Sequence, residues 1–168
     1  MSYKNLPFGS VAKFNVVIEI PKGSPNKYEY DPGLDLIKLE WVFTGDFKFL
    51  FDYGFVSQTL GGDGDPLDAF VFCSHPLEQG TVVECRAVGM IEVLDRGEVD
   101  NKILAVAVAD KEFGRFQELR DLKFDYEKTF RDFFKELGVQ KDKIIEIKGF
   151  KDRARAEKEL EAAHANGE

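Results

Sequence analysis

The run Gly61-Gly62-Asp63-Gly64-Asp65-Pro66-Leu67-Asp68-Ala69-Phe70 places three carboxylates within six positions, between the strand-like segments Tyr53-Gly54-Phe55-Val56 and Ala69-Phe70-Val71-Phe72. A fold that accepts both must bring the acids out at the mouth of a sheet. Crowded carboxylates repel and raise one another's pKa unless a cation neutralises them, and an all-oxygen donor set favours Mg²⁺, Mn²⁺ or Ca²⁺ over zinc. Asp, Gly and Pro also build ordinary tight turns. Register excludes an EF-hand loop: counted from Asp63, Leu67 falls on the fifth position, Asp68 on the glycine position and Ser74 on that of the bidentate glutamate. A solvated turn and an open carboxylate metal site both remain.

A chain of 168 residues reads as one domain, residues 1–168, large enough to bury a core without staples. Its 43% hydrophobic and 32% charged residues place it among globular proteins rather than disordered ones. Sixteen phenylalanines point to an aromatic core or a subunit interface. A net charge of −8, with no basic stripe, argues against nucleic acid and anionic membrane as partners. Cys73 and Cys85 fall in strand-like stretches without metal-ligand spacing and read as buried reduced thiols. With no signal peptide and no run of membrane-spanning length, the expected location is the cytoplasm. His75, before a proline in a loop, and His164, in the polar tail, have no Ser, Cys or Asp in motif spacing and read as exposed bystanders.

The β-branched run Val16-Val17-Ile18-Glu19-Ile20, ended by Pro21 and Gly23, predicts a strand and a turn. Lys27-Tyr28-Glu29-Tyr30 predicts the next strand, and others are expected near 35 to 43, 47 to 56, 69 to 72, 81 to 94 and 102 to 108. Short strands at this spacing suggest a barrel or sandwich. After about residue 115 the period changes. Phe130, Phe133, Phe134 and Leu137 recur at three and four residues, which predicts a helix, and Gly138 is placed as its end. Ile144 to Ile147 reads as a last strand and Lys151 to Ala165 as a charged, alanine-rich helix. The expected architecture is mainly β: a barrel flanked by two α-helices.

Glu19 interrupts an apolar strand, where a carboxylate is costly unless paired or wetted; facing water from an edge strand is the alternative. Lys27 and Glu29 share one strand face, either beside Glu19 or as a surface ion pair. Asp95 and Asp100 flank the turn Arg96-Gly97-Glu98-Val99, and Lys102 opens the apolar run that follows. If both acidic clusters meet at one barrel mouth, the site holds Asp63, Asp65, Asp68, Asp95 and Asp100, rimmed by Lys27 and Lys102. Such a site suits several divalent ions with an anion on top.

Six pieces in this order carry a family resemblance: Val16-Val17-Ile18-Glu19-Ile20-Pro21, Lys27-Tyr28-Glu29, Asp52-Tyr53-Gly54-Phe55, Gly62-Asp63-Gly64-Asp65-Pro66-Leu67-Asp68, Val88-Gly89-Met90 and Asp95 with Asp100-Asn101-Lys102. Together they resemble the soluble family I inorganic pyrophosphatases, most specifically in the D-x-D-P-x-D run. The resemblance implies a closed five-stranded OB-like β-barrel and Mg²⁺-dependent hydrolysis of pyrophosphate to two phosphates, with Mn²⁺ or another divalent ion as a substitute. It implies metal ligands at Asp63, Asp68, Asp95 and Asp100, and a catalytic carboxylate at Asp65 that takes a proton from the attacking water. Glu19 and Glu29 match outer-sphere acids holding metal waters, and Lys27, Tyr53 and Lys102 match groups that contact substrate phosphate. A homo-oligomer, often a hexamer in bacteria, is also implied.

The chain departs from the family pattern where phosphate is gripped. Trp41 stands at the position of an arginine, and Leu137 and Gly138 stand where the family carries a Tyr-Lys pair. Lys38, Lys48, Lys141 and Lys143 are the nearby lysines available to compensate. Two alternatives follow from the departure: another phosphoanhydride or phosphate ester as substrate, or a metal-binding barrel without turnover.

Overall fold

The computed structural model describes residues 2–168. Nine strands and two helices follow in the order β1 (Phe14–Ile20), β2 (Asn26–Asp31), β3 (Leu36–Val42), β4 (Asp52–Val56), β5 (Asp68–Phe72), β6 (Val82–Asp95), β7 (Glu98–Val99), β8 (Lys102–Ala107), α1 (Tyr126–Lys141), β9 (Ile145–Asp152) and α2 (Arg153–Gly167). β1 pairs with β4, β4 with β5, β5 with β8, β8 with β6, and β6 returns to β1. This ring of five strands is the OB-like barrel, and closure removes its edges. β7 and β9 extend β6, while β2 and β3 form a separate antiparallel ribbon. None of the described helices is long and apolar enough to cross a membrane.

Strand periodicity sends alternate residues into two packing layers. Ala69 and Val71 join Ile103 and Ala105 in a layer completed by Ala156 and Leu160 of α2. Phe70 and Phe72 join Leu104 and Val106 in a second layer completed by Phe130, Phe133 and Phe134 of α1. Much of the phenylalanine surplus goes into this second layer, where rings meet at angles such as Phe70 on Phe130, with centroids 4.9 Å apart. Tilted and edge-on pairs add about 0.5–1.5 kcal/mol each beyond area burial. Gly54 shows how close the strands run: a Cβ there would lie 1.9 Å from the Val17 carbonyl oxygen, so no side chain fits where β4 crosses β1.

Several boundaries move. The strand expected over 47–56 is regular only from Asp52, because Gly45 takes φ +63° and the stretch before β4 is a loop that buries Phe43, Phe47 and Phe49. Gly138 does not end α1, which runs three residues further to a left-handed cap at Asp142. Glycine is needed inside the helix because the chain folds straight back: a Cβ at Gly138 would stand 2.7 Å from the Lys143 carbonyl oxygen. The last strand reaches Asp152, whose side chain then caps α2 by accepting from the Arg155 N–H at 3.0 Å, so the helix starts at Arg153. Cys85 is buried in β6, whereas Cys73 lies just past β5 and is part-exposed. His164 is no bystander. Its ring stacks on Phe8 at 4.1 Å and its Nδ1 lies 2.9 Å from the Gln58 carbonyl oxygen, fastening α2 to the loop after β4.

Candidate active site

One end of the barrel opens into a cavity of about 250 Å³. Asp63 and Asp65 reach it from the acidic loop, Asp68 from the first position of β5, Asp95 from the last of β6, and Asp100 and Lys102 from the start of β8. Glu19, Lys27, Glu29 and Tyr53 also line it, so all ten residues named as metal, catalytic or substrate-binding candidates face this one space. The loop is shaped locally. The Asp65 N–H donates to Asp63 Oδ1 at 3.0 Å, the Gly61 N–H donates to the Asp65 carbonyl at 2.7 Å, and Gly64 takes φ +86°. That is Asx-turn chemistry, and it presents both carboxylates outward.

Tertiary pairing does the rest. The parallel register sets Asp68 opposite Lys102, whose ammonium donates to Asp68 Oδ2 at 2.7 Å and to the Tyr53 hydroxyl oxygen at 2.9 Å. The same ammonium meets Asp100 at 2.9 Å, and the Tyr53 hydroxyl donates to Asp68 Oδ2 at 2.7 Å. Glu19 is an extra residue in β1: Ile18 pairs with Gly54 and Ile20 with Tyr53, leaving Glu19 unmatched. Such a bulge re-aims a side chain. It turns Glu19 inward, where it is 5% exposed and accepts the Tyr30 N–H at 2.8 Å. The water-facing alternative for Glu19 is therefore wrong.

The charge balance of the wall is acidic, with nine carboxylates against five cationic side chains. Burial, then the charge of Asp68, pushes Glu19 up to about 8. Burial, with Asp100 and Asp68 behind it, pushes Asp63 up to about 6. Glu29 and Asp65 are raised for the same reason, burial first. Burial works against the charge of Lys102, but Asp68, Tyr53 and Asp100 outweigh it and hold the ammonium well above its ordinary value. Burial likewise raises the Tyr53 hydroxyl well above its ordinary value.

Asp95 supplies the test of a metal. Its Oδ2 takes Lys143 at 2.5 Å, but its Oδ1 is buried and accepts no hydrogen bond; Arg96 Nε stands 3.4 Å away without making one. Among the described residues, no three Asp, Glu, His or Cys side chains already stand at the separation of a closed ion site. These two observations pull apart, and the donor chemistry decides. Lysines lie between the acids, and Mg²⁺ keeps several waters and needs only one or two carboxylates. The orphaned oxygen and the all-carboxylate donor set fit hard divalent cations.

The sequence reading missed Glu40. It is the unmatched residue of β3, since Lys27 pairs with Trp41 and Tyr28 with Leu39. It enters the cavity wall and binds Lys27 at 2.5 Å, the side chain for which only Glu29 had been weighed, and Glu29 stands farther off at 4.0 Å. Among the compensating lysines, Lys141 and Lys143 line the cavity, while Lys38 is held outside it by Asp31 at 3.5 Å and Lys48 is exposed away from it. Leu137 lines the cavity as an apolar wall; Trp41 and Gly138 do not reach it.

A family model described as inorganic pyrophosphatase matches residues 16–168. The chain belongs to the inorganic pyrophosphatase family. It is 40% identical over 167 residues to an inorganic pyrophosphatase of Thermus thermophilus, covering 96% of this chain and 95% of that one. A Synechocystis inorganic pyrophosphatase is 38% identical over 138 residues, 82% of each chain. A crystal structure of inorganic pyrophosphatase from Thermus thermophilus superposes with a TM-score of 0.91 over 99% of both chains at 38% identity. That structure therefore shares the whole fold with this chain, barrel and both helices included.

Proposed function

We propose that this chain, acting as one domain, hydrolyses inorganic pyrophosphate to two phosphates with Mg²⁺, or Mn²⁺, at the barrel mouth. The observation that supports it best is that ten residues, scattered from Glu19 to Lys102, line one acidic cavity in a chain of this family. Asp63, Asp68, Asp95 and Asp100 would hold the ions, and Glu19 and Glu29 their outer waters. Bound divalent ions stabilise charge on phosphoryl oxygens and bring a water's pKa near neutrality. With the ions bound, Asp65 would act as the general base that takes a proton from the attacking water. Lys27, Tyr53 and Lys102 contact substrate phosphate, with Lys102 held by Asp68 and Asp100 until an anion arrives.

Phosphate release from pyrophosphate in Mg²⁺ is the direct measurement, run beside a nucleoside triphosphate and a phosphomonoester. Pyrophosphate is expected to turn over fastest, and excess chelator is expected to abolish release. Faster turnover of either comparison substrate would move the assignment to another phosphohydrolase, the reading that Trp41 and Leu137 favour. No turnover of any of them at high protein concentration would leave a metal-binding barrel.

The proposed assembly is a homo-oligomer, for which the resemblance implies the hexamer often found in bacteria. Leu39 and Val42 on the ribbon and Val139 and Ile144 near the end of α1 are all more than half exposed and offer apolar side chains for such an interface. Light scattering should give a multiple of the 19.1 kDa chain mass, and a monomer in dilute solution would refute it. The proposed setting is the cytoplasm, where two free thiols suit reducing conditions.

A further inference from the structure

Lys141, the last residue of α1, reaches across 101 positions of sequence to donate to Glu40 Oε1 at 2.7 Å. The bulge in β3 makes this contact: it turns Glu40 into the cavity, where one carboxylate oxygen takes Lys27 and the other Lys141. On a second side, the Lys141 ammonium stands 5.5 Å from the centroid of the Trp41 ring. A cation over an indole face is attracted by the ring quadrupole. Trp41 is thus outside the cavity but props up a lysine inside it.

The cations of the wall differ in how many donors they have left. Lys102 donates to Asp68 and Tyr53 and is ion-paired with Asp100 at 2.9 Å. Lys27 meets Glu40 at 2.5 Å, with Glu29 at 4.0 Å as a second carboxylate beside it. Lys141 and Lys143 each have one acceptor among the described residues, Glu40 and Asp95, although their side chains are only 11% and 13% exposed, and Lys141 is the one that also lies over the Trp41 ring. An ammonium has three donors, so two remain for something other than bulk water. A half-satisfied, poorly hydrated cation in a cavity is a ready partner for an oxyanion, because charge-assisted bonds are the strong ones.

We propose that Lys141 contacts the substrate's phosphoryl oxygens directly, with Glu40 and Trp41 as positioning residues that hold it there. This rests on the pyrophosphate reading above. Trp41 then has a role in the site without entering it, because its indole orients the lysine that binds phosphate. The competing role for Lys141 is a strut that ties α1 to the ribbon.

Trp41 is the chain's only tryptophan, so indole emission comes from this ring alone. The test titrates wild type and Lys141→Met with methylenediphosphonate in Mg²⁺, reading emission and heat, and adds pyrophosphate kinetics. Wild type should show a saturable emission change. Lys141→Met should lose that change and weaken diphosphonate binding about 10-fold or more, with KM rising more than kcat falls. Lys141→Arg should keep KM within about 3-fold, since charge and stacking persist. Trp41→Phe should behave like wild type in KM, and Trp41→Ala should not. If Lys141→Met melts earlier but binds diphosphonate and pyrophosphate as wild type does, Lys141 is only a strut and the proposal fails. If wild type does not cleave pyrophosphate, the substrate reading fails instead, and the diphosphonate titration still decides whether Lys141 grips phosphoryl oxygens.

Discussion

Asp65→Asn is expected to lower kcat for pyrophosphate by about 10²–10⁴-fold, the range that a positioned general base supplies. Asn matches Asp in shape and keeps an amide oxygen, but it cannot take a proton at neutral pH. The loop should survive the change. Its turn is held by backbone donors to Asp63 and to the Asp65 carbonyl, and not by the Asp65 side chain. Mg²⁺ affinity, measured by calorimetry, should therefore fall far less than kcat, because the proposed ion ligands are the neighbouring Asp63, Asp68, Asp95 and Asp100. A variant with wild-type kcat would remove Asp65 from the base role. A variant that lost Mg²⁺ binding in step with activity would make it a metal ligand.

The metal-free protein is expected to lose stability as pH rises from about 5 to 8, against the usual direction for carboxylates. Glu19 is pushed up to about 8 from an ordinary value of 4.5, so the folded chain keeps a proton that the unfolded chain releases. Its contribution is fully present below the unfolded pKa and is lost as pH climbs through the folded one. The loss is at most about 1.4 kcal/mol per pH unit for one proton. Asp63 adds in the same direction over a lower window, from 3.8 to about 6, discounted because it is exposed. Lys27 and Lys102 are raised from 10.5 and stay charged throughout, so they do not offset the trend.

In chelator, Tm at pH 8 should therefore lie roughly 5–10 °C below Tm at pH 5. Glu19→Gln keeps an acceptor for the Tyr30 N–H while removing the charge, and it should flatten the profile and raise Tm at pH 8. Added Mg²⁺ should stabilise wild type more at pH 8 than at pH 5, because ion binding favours ionised carboxylates. A Tm independent of pH between 5 and 8 in chelator would mean that Glu19 is ionised throughout in the folded state.

The acidic loop was legible because its geometry is local. Asp63, Gly64 and Asp65 make their own turn, and their neighbours are strands whose alternation can be read directly. The charged site residues stood out as acids and lysines in or beside strand-like stretches, while Tyr53 was named only through the family resemblance. Glu19 stood out as an anomaly, but its direction could not be read, because a bulge exists only relative to the partner strand. Glu40 was not singled out, because β3 is exposed along most of its length and a charge there reads as an ordinary surface residue until the bulge turns it inward. Gly138 carried the wrong meaning. Its place inside α1 depends on where the chain after the helix returns.

By itself the sequence determined a mainly β chain with two late helices, an acidic mouth, and membership of a family whose D-x-D-P-x-D run it carries. The first two follow from period, turn chemistry and composition, and the family follows from the resemblance of its motifs, all carried by short stretches of chain. Only the tertiary structure decided which cation meets which acid: Lys102 between Asp68 and Asp100, Lys143 on Asp95, and Lys141 on Glu40 against Trp41. Those pairings depend on strand register, two single-residue bulges and the point at which a helix stops. A shift of one residue in any of them sends a side chain to the opposite face, so they are settled by long-range pairing and packing.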